Sequence, residues 1–291
     1  MALMLVLIIF TYAIWGGSAV STKVALTTAS PLFLSGLRMG IMLLVLAVWI
    51  VAKGISVKPE KEELAVLLLN GLLSTLVMAL FNEGLELTTA SRGTVFMHTY
   101  PFFVAGLAQF LLVGDRLSRQ KFIGLVVAFV GVVALFVGKG GASSGSLAGD
   151  LMVILSALVL ANQFVWQKKL VRRMNPAKLL FWSGLVSLPI FFSSGLFLEE
   201  GWIGPPSAAA VLAILYLGLV IGGYCFLFQI TMLKYLSPNL LASFSFLVPV
   251  TGVIYSILLL REPLTQGLVI GAVLVTVGIF VVNYRSKAGL W

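Results

Sequence analysis

The chain has 291 residues, of which 60% are hydrophobic and only 10% charged, and its formal net charge is +9. Soluble domains are about 45 to 50% apolar and about 25% charged, so this composition excludes a soluble globular protein. The apolar residues come in runs of about 20, the length of a helix that crosses a hydrocarbon layer of roughly 30 Å. The sequence therefore predicts an integral membrane protein.

Apolar runs interrupted by charge, Gly or Pro predict ten transmembrane helices. In chain order they lie at about residues 3–22, 31–52, 64–84, 91–113, 120–138, 149–168, 178–198, 208–231, 239–260 and 266–284. The first run continues to Val20 without a basic n-region or a cleavage site, so it is interpreted as a span rather than a signal peptide. Unbroken runs are unlike the alternating segments of a transmembrane barrel. The expected fold is an all-α integral membrane protein without a soluble domain.

Lys and Arg residues divide unequally between the two faces of this arrangement. Fourteen of the 19 fall on the side that carries both termini, and Arg38 lies within a span. Because basic residues are retained on the cytoplasmic side, both termini are expected in the cytoplasm. The positive net charge thus reflects topology, and no nucleic-acid partner is expected.

The two halves of the chain are similar to each other. Residues 89–131 align with residues 237–278, and the alignment places Pro101 on Pro249. Weak similarity between any two apolar segments is the alternative explanation, but the proline, an acidic connector residue and two glycines match in order. The alignment favours an internal repeat.

Each predicted repeat contains five helices. The first covers residues 1–140 with helices 1 to 5, and the second covers residues 141–291 with helices 6 to 10. Because five is odd, the second repeat enters the membrane from the opposite side. Inverted repeats of this kind build transporters whose binding site lies near the bilayer midplane, between the halves.

Several motifs resemble the EamA repeat of the drug/metabolite transporter superfamily. They are an aromatic-Gly-Gly pattern followed by Lys in the first helix and an acidic residue after the fourth and ninth helices, at Trp15, Gly16, Gly17, Lys23, Asp115 and Glu262. The second copy keeps Lys168 but lacks the aromatic-Gly-Gly pattern. Within that superfamily the chain is most similar to the YddG-type exporters of aromatic and other neutral amino acids in the bacterial inner membrane.

This resemblance implies a secondary transporter that exports neutral and aromatic amino acids by alternating access. An exporter of drugs or other small metabolites of the same superfamily is the alternative. The expected partners are a small-molecule substrate and the lipid bilayer, with the protein as a monomer or homodimer. An enzyme is not expected, because no catalytic pair lies at membrane depth. With one His and one Cys, neither a metal nor a cofactor is expected.

Aromatic and polar residues cluster at mid-span and are the candidate substrate-binding residues. They are Tyr12, Trp15, His98, Tyr100, Asn162, Trp166, Trp182, Tyr224 and Ser245. A buried tyrosine needs a partner for its hydroxyl, so several at one depth indicate a hydrated cavity. For Trp166 and Trp182 an interfacial aromatic belt is the alternative. The absence of a basic cluster at this depth argues against phosphorylated substrates.

A second group is expected to act in gating or structure. Arg38 lies about seven residues into the second helix, roughly 10 Å deep at 1.5 Å per residue. Glu83 and Glu86 are the counter-charges at that level, so a structural ion pair and an outer gate both stay open. Pro101 and Pro249 are expected to kink the fourth and ninth helices, each freeing a backbone carbonyl.

Titratable groups at membrane depth indicate how transport is coupled to energy. A proton-driven antiporter usually carries such a group in its pathway, and only His98 lies near the midplane. Facilitated export down a concentration gradient is therefore the expected mode of transport.

Overall fold

The computed structural model describes residues 2–111, 119–137, 146–236, 238, 241, 244–245 and 247–283. Within these residues the chain is helical, and the only β-type contact among them is an isolated bridge between Ala29 and Trp202. The predicted all-α class is confirmed. The predicted boundary between the repeats, at residues 140 and 141, lies outside the described residues, and so does Asp115.

The helices of the described part follow one another in a simple order. They are α1 (Ala2–Trp15), α2 (Gly17–Ala25), α3 (Pro31–Lys53), α4 (Lys61–Leu87), α5 (Ala90–Met97), α6 (Tyr100–Leu111), α7 (Arg119–Val137), α8 (Leu147–Leu170), α9 (Pro176–Phe197), α10 (Ala208–Leu215), α11 (Phe226–Tyr235), α12 (Leu247–Leu260) and α13 (Gln266–Asn283). A π-helical segment, Tyr216–Cys225, joins α10 to α11.

Six helices of the described part are long and apolar enough to cross a membrane. They are Met4–Ala25, Pro31–Lys53, Lys61–Leu87, Leu147–Leu170, Pro176–Phe197 and Ala208–Tyr235. The shorter helices α5, α6, α7, α12 and α13 lie where the other predicted spans were expected. Large apolar side chains such as Leu44, Val51 and Phe197 are exposed, as on a lipid-facing surface. The chain is a multi-pass membrane protein, and the number of ten crossings stays a prediction.

The fourth predicted span is broken where a kink was expected. Helix α5 ends at Met97, and α6 begins at Tyr100 after a turn that contains His98. Pro101 has no backbone N–H to donate to the carbonyl of Met97, which removes the hydrogen bond that would continue the helix. Proline is favoured in the first turn of a new helix, so the break places Pro101 where it is tolerated.

Pro249, which was also expected to kink a helix, likewise lies near the start of one. It is the third residue of α12, so it lies in the first turn of a helix rather than at a mid-helix kink. The carbonyl of Ser245 accepts a hydrogen bond from the backbone N–H of Val248 at 3.0 Å, just before the proline. Both prolines therefore lie at helix starts that interrupt a predicted span.

Equivalent lysines make equivalent contacts at opposite ends of the bundle. Lys23 donates hydrogen bonds to the carbonyls of Leu85 (2.8 Å) and of the following residue (3.3 Å), at the end of α4. Lys168 donates to the carbonyls of Leu233 (2.6 Å) and Leu236 (2.8 Å), at the end of α11. A cation is favourable at a helix C-terminus, where unpaired carbonyls accumulate. This pair of contacts is what inverted repeats predict, since one lies at the predicted outer end and the other at the predicted cytoplasmic end.

The start of α5 is held by an acidic side chain from the other half of the chain. The carboxylate of Glu262 accepts hydrogen bonds from the backbone N–H groups of Ala90 (2.8 Å) and Ser91 (3.0 Å). An anion is favourable at a helix N-terminus. Glu262, recognised in the sequence only as a repeated position, therefore joins the two halves at the predicted outer end.

Two ion pairs of the described part connect helices at the two ends. Arg92 of α5 pairs with Asp150 of α8, a fully buried carboxylate that also accepts a hydrogen bond of 2.6 Å from the Thr88 hydroxyl. At the predicted cytoplasmic end, Lys178 of α9 pairs with Glu63 of α4 at 2.5 Å. The first pair joins α8 to α5 at the predicted outer end, and the second joins α4 to α9 at the predicted cytoplasmic end.

Candidate functional site

Two adjacent cavities lie among the helices. The larger, here called the aromatic cavity, comprises about 700 Å³ of space, part of it open to solvent, and is lined by Tyr12, Trp15, Arg38 and His98 of the first half and by residues of the second half that include Phe226. The smaller, called the amide cavity, encloses about 530 Å³ and is lined by residues that include Gln163.

One set of side chains lines both cavities. It consists of Val77, Met78, Leu160, Phe226 and Gln229. The amide cavity extends toward the predicted cytoplasmic end, because its residue Gln167 lies three positions before the end of α8. The two spaces therefore adjoin each other and share a mostly apolar group of lining side chains.

The aromatic cavity is named for the aromatic rings in its lining. Tyr12 and Trp15 stack with ring centroids 6.1 Å apart, and Trp15 meets Phe226 edge to face at 4.8 Å. Tyr100 contacts His98 at 6.0 Å and Phe164 at 5.9 Å, also edge to face. Such contacts hold the rings in defined orientations and expose apolar faces to a solute.

A few polar groups interrupt this wall. Gln229 donates a hydrogen bond of 3.3 Å to the hydroxyl of Tyr12. The hydroxyl of Tyr100 lies beside Tyr12, Gln229 and Ser245. Hydroxyl and amide groups from α1, α6 and α11 therefore meet at one place, where each can exchange its partner for a ligand atom.

His98 is oriented by the helix turn that precedes it. Its Nδ1 lies 2.8 Å from the carbonyl oxygen of Thr94. A carbonyl only accepts hydrogen bonds, so Nδ1 carries the proton, and in the neutral ring Nε2 is left as an acceptor. His98 therefore contributes a hydrogen-bond acceptor to the lining of the aromatic cavity.

Arg38 brings a cation to the same cavity. Its side chain is 97% buried, with 3% of the residue's surface exposed. Two of its guanidinium nitrogens, Nε and Nη1, have no hydrogen-bond partner among the described residues. A buried charge without a partner is unusual in proteins, since desolvation is costly.

The counter-charges predicted for Arg38 are engaged elsewhere, so the expected ion pair is absent from the described residues. Glu83 lies beside Glu199, whose carboxylate accepts hydrogen bonds from backbone N–H groups at the start of α3. Glu86 is exposed and lies near Lys23. Both carboxylates therefore have other neighbours than Arg38.

The amide cavity has a different character. Asn70 donates a hydrogen bond of 2.6 Å to the hydroxyl of Ser183, while Gln163 donates to Ser74 at 2.6 Å. Gln163 and Gln167 also donate to the side-chain oxygen of Asn70, at 3.3 and 3.2 Å. These neutral groups satisfy one another, as buried polar groups usually do.

The predicted substrate-binding residues divide into two groups. Tyr12, Trp15, His98 and Tyr100 line the aromatic cavity, and Ser245 is buried beside Tyr100. The structure does not bring the remaining four to either cavity; they are Asn162, Trp166, Trp182 and Tyr224.

These four side chains have other surroundings. Asn162 is exposed on α8, and Trp166 packs against the main buried cluster. Trp182 donates a hydrogen bond of 2.9 Å to the carbonyl of Val57, in the connector between α3 and α4. Tyr224 is 38% exposed, and its hydroxyl lies 3.0 Å from that of Thr11.

Sequence reasoning missed Gln229 and Phe226, which line both cavities. Gln229 could have been found as an amide within the apolar stretch that ends the eighth predicted span, where a polar group needs a partner. Phe226 carries no comparable signal, because one phenylalanine among 20 is indistinguishable in the sequence from a core residue.

Comparison with known proteins gives a consistent result. A family model described as the EamA-like transporter family matches residues 2–137 and again residues 147–284. The chain is 27% identical over 278 residues to "Uncharacterized transporter YoaV" of Bacillus subtilis (strain 168), covering 94% of each chain. It is 28% identical over 289 residues to "Probable amino-acid metabolite efflux pump" of Escherichia coli (strain K12), covering 95% of this chain and 93% of that one. A solved crystal structure has the same fold, with a TM-score of 0.73 at 20% identity and coverage of 97% of this chain and 98% of the other.

Proposed function

The chain belongs to the EamA-like transporter family, and we propose that this membrane transporter exports neutral and aromatic amino acids as a secondary transporter. A relative from Escherichia coli carries the name of an amino-acid metabolite efflux pump, which supports an amino-acid substrate. At 28% identity the substrate has to be argued from the cavity itself.

The aromatic cavity is the observation that carries the proposal. Its rings, contributed by Tyr12, Trp15, Phe81, Tyr100 and Phe226, suit an apolar or aromatic side chain. Its few polar groups suit the charged end of a small amphipathic solute, because a ligand pocket is mostly apolar with a small number of placed polar groups. Phosphorylated solutes fit less well, since Arg38 is the one Lys or Arg residue in the described lining.

Alternating access would use the two repeats as moving halves. The proposed halves are residues 1–140 and 141–291, and both contribute to the aromatic cavity. Contacts between halves at the two ends, such as Glu262 with the start of α5 and Lys178 with Glu63, are candidates for bonds that open in turn. We place the protein in the inner membrane of a bacterium, as a monomer or homodimer with both termini in the cytoplasm.

A drug exporter for organic cations is the competing assignment. Such a protein needs a carboxylate in the membrane to compensate the charge of its substrate. The described lining of the aromatic cavity contains Arg38 and neither Asp nor Glu. This charge favours a substrate with an anionic group over a cation.

The proposal is tested by reconstituting the purified protein into liposomes. Labelled L-phenylalanine, L-leucine and L-threonine are expected to exchange with the same unlabelled solute, while methyl viologen, a hydrophilic organic cation that liposomes retain, is not. Phe226→Ala is expected to weaken phenylalanine exchange, whereas Phe228→Ala, two residues away and outside both cavities, is expected to leave it unchanged. Exchange of the cation without any amino acid would overturn the proposal.

The mode of energy coupling has its own test. Facilitated export predicts that an imposed pH step will not drive accumulation of phenylalanine above its equilibrium level. The only ionisable side chains in the described lining of the aromatic cavity are those of Arg38, His98 and the two tyrosines. Accumulation against the gradient in liposomes with a pH step would contradict facilitated transport and would leave the substrate assignment in place.

A further inference from the structure

Arg38 combines three features that a purely structural arginine does not have together. It is 97% buried, it lines the aromatic cavity, and two of its three guanidinium nitrogens have no partner among the described residues. The other buried arginine of this end, Arg92, has its carboxylate partner in Asp150. The protein therefore supplies a counter-charge for one arginine and leaves the other facing a cavity.

A buried guanidinium without a partner pays a desolvation cost that an anion from outside the chain can offset. Its planar arrangement of N–H donors matches a carboxylate in charge and geometry. Within the described lining of the cavity no Asp or Glu competes for it. An anionic group of a ligand would supply the partner that the described residues do not.

The other walls determine what the anionic group is attached to. Arg38 lies seven residues after the start of α3, and His98 lies eight residues after the start of α5. At 1.5 Å per residue both are roughly 10 to 12 Å from the predicted outer end, so they lie at the same level. A ligand anchored on Arg38 therefore lies in the same cavity as His98, Trp15 and Tyr12.

We propose that Arg38 binds the carboxylate of the transported solute and that the aromatic cavity selects amphipathic carboxylates. This proposal rests on the proposed function and narrows it. The α-carboxylate of an amino acid lies on the guanidinium, and its apolar or aromatic side chain lies against the rings. Its ammonium group is received by neutral acceptors, which are the Tyr12 and Tyr100 hydroxyls and His98 Nε2, and by the faces of the rings.

The test measures binding by the purified full-length protein in detergent, as the rise in its thermal unfolding temperature with added ligand. Three probes share one ring system: L-phenylalanine, 3-phenylpropionate without the ammonium group, and phenylalaninamide without the carboxylate. The first two are expected to stabilise the wild type, and the amide is not. Arg38→Gln is expected to weaken binding of both carboxylates at least about tenfold, the factor equivalent to 1.4 kcal/mol.

Two further variants separate ligand binding from structure. Arg38→Lys keeps the charge and is expected to restore part of the response to both carboxylates. Arg92→Gln is the matched control, because it alters a buried arginine at the same end that already has a partner. It is expected to lower the unfolding temperature of the ligand-free protein while leaving the increment caused by phenylalanine unchanged.

The outcomes are distinct for the two proposals. Binding of 3-phenylpropionate without binding or transport of any amino acid would refute the amino-acid function and retain Arg38 as a carboxylate receptor. Equal stabilisation of the wild type by phenylalanine and phenylalaninamide would overturn the Arg38 proposal, whatever the variants do. The same holds if neither carboxylate stabilises the wild type, or if Arg38→Gln responds to both as the wild type does.

Discussion

The two buried arginines at the predicted outer end belong to regions of opposite kinds. Arg92 lies in a closed site, where it forms an ion pair with Asp150 and the hydroxyl of Thr88 donates a hydrogen bond to the same carboxylate. Arg38 lies in an open site: its side chain lines a cavity, and two of its guanidinium nitrogens are buried without a partner among the described residues. Both sites hold the same side chain at low exposure. The difference shows that burial alone does not distinguish a structural charge from one available to a ligand; the partner does.

The two sites also differ in the energetic consequence of removing a charge. In the closed site both charges are already paired, so removing one leaves the other buried and uncompensated. In the open site the uncompensated charge is already present, so removing it takes away a cost of folding together with a binding contact. The first kind of change is expected to appear in stability, and the second in transport.

The largest expected effect is on the closed site. Asp150→Asn removes the charge opposite Arg92, and we expect it to lower the free energy of unfolding by about 3 to 5 kcal/mol. Denaturant unfolding in detergent, followed by circular dichroism, measures the loss. The double variant Asp150→Asn with Arg92→Gln should recover part of it, because the uncompensated charge is then gone. A loss no greater than that of an exposed ion pair would remove the distinction between the sites.

At the open site the effect is expected to move from stability to transport. Arg38→Gln should leave the free energy of unfolding unchanged or slightly higher, because an unpaired buried charge is replaced by a neutral group. The half-saturating concentration of phenylalanine should rise by a factor equivalent to about 1.5 to 3 kcal/mol, the contribution of a hydrogen bond to a charged group. Destabilisation comparable with that of Asp150→Asn would identify Arg38 as structural.

The tyrosines of the aromatic cavity show how much a neutral group contributes to binding, in comparison with the charged Arg38. Tyr12→Phe removes the hydroxyl that accepts from Gln229, and Tyr100→Phe removes its neighbour. Each should raise the half-saturating concentration of phenylalanine by a factor equivalent to about 0.5 to 1.5 kcal/mol, the net value of a neutral hydrogen bond. Tyr224→Phe is the matched control, since its hydroxyl contacts Thr11 outside both cavities. Equal effects at all three positions would indicate general loss of packing.

The smallest expected effect concerns the other end of the molecule. Lys178→Gln breaks the pair with Glu63, whose side chain is 18% exposed. Because water screens a partly exposed pair, the loss of stability should be about 0.2 to 1 kcal/mol, well below that of Asp150→Asn. Thermal unfolding of the two variants in one detergent checks the order. A reversed order would show that the predicted outer end is not the more tightly paired one.

The fold was largely predictable from the sequence because its signals are local. Apolar runs predicted the positions of the helices, and the odd number of helices in each repeat predicted an inverted arrangement, with which the equivalent contacts of Lys23 and Lys168 agree. The breaks at Pro101 and Pro249 were predicted in place but underestimated, since each proline lies in the first turn of a separate helix. The acidic position after the ninth helix was recognised as repeated, but its role was not, because Glu262 acts on backbone groups about 170 residues away in the chain.

The candidate site was predictable only in part, for a geometric reason. Residue counting along a helix gives the depth of a side chain at 1.5 Å per residue, but not the direction in which the helix turns it. Depth suggested Glu83 and Glu86 as counter-charges for Arg38, yet Glu83 lies beside Glu199. Depth also grouped Tyr224 with Tyr12, although one is partly exposed and the other buried. The direction in which a side chain points depends on how helices distant in the sequence pack together, and a single sequence does not show that packing.

The most direct test of the account is exchange of labelled L-phenylalanine in liposomes that contain the wild type or Arg38→Gln, at equal amounts of folded protein. The account predicts exchange by the wild type, inhibition of that exchange by unlabelled 3-phenylpropionate but not by phenylalaninamide, and exchange by Arg38→Gln reduced at least about tenfold at low substrate concentration. Exchange by Arg38→Gln at the wild-type rate, with the same response to both inhibitors, would contradict it.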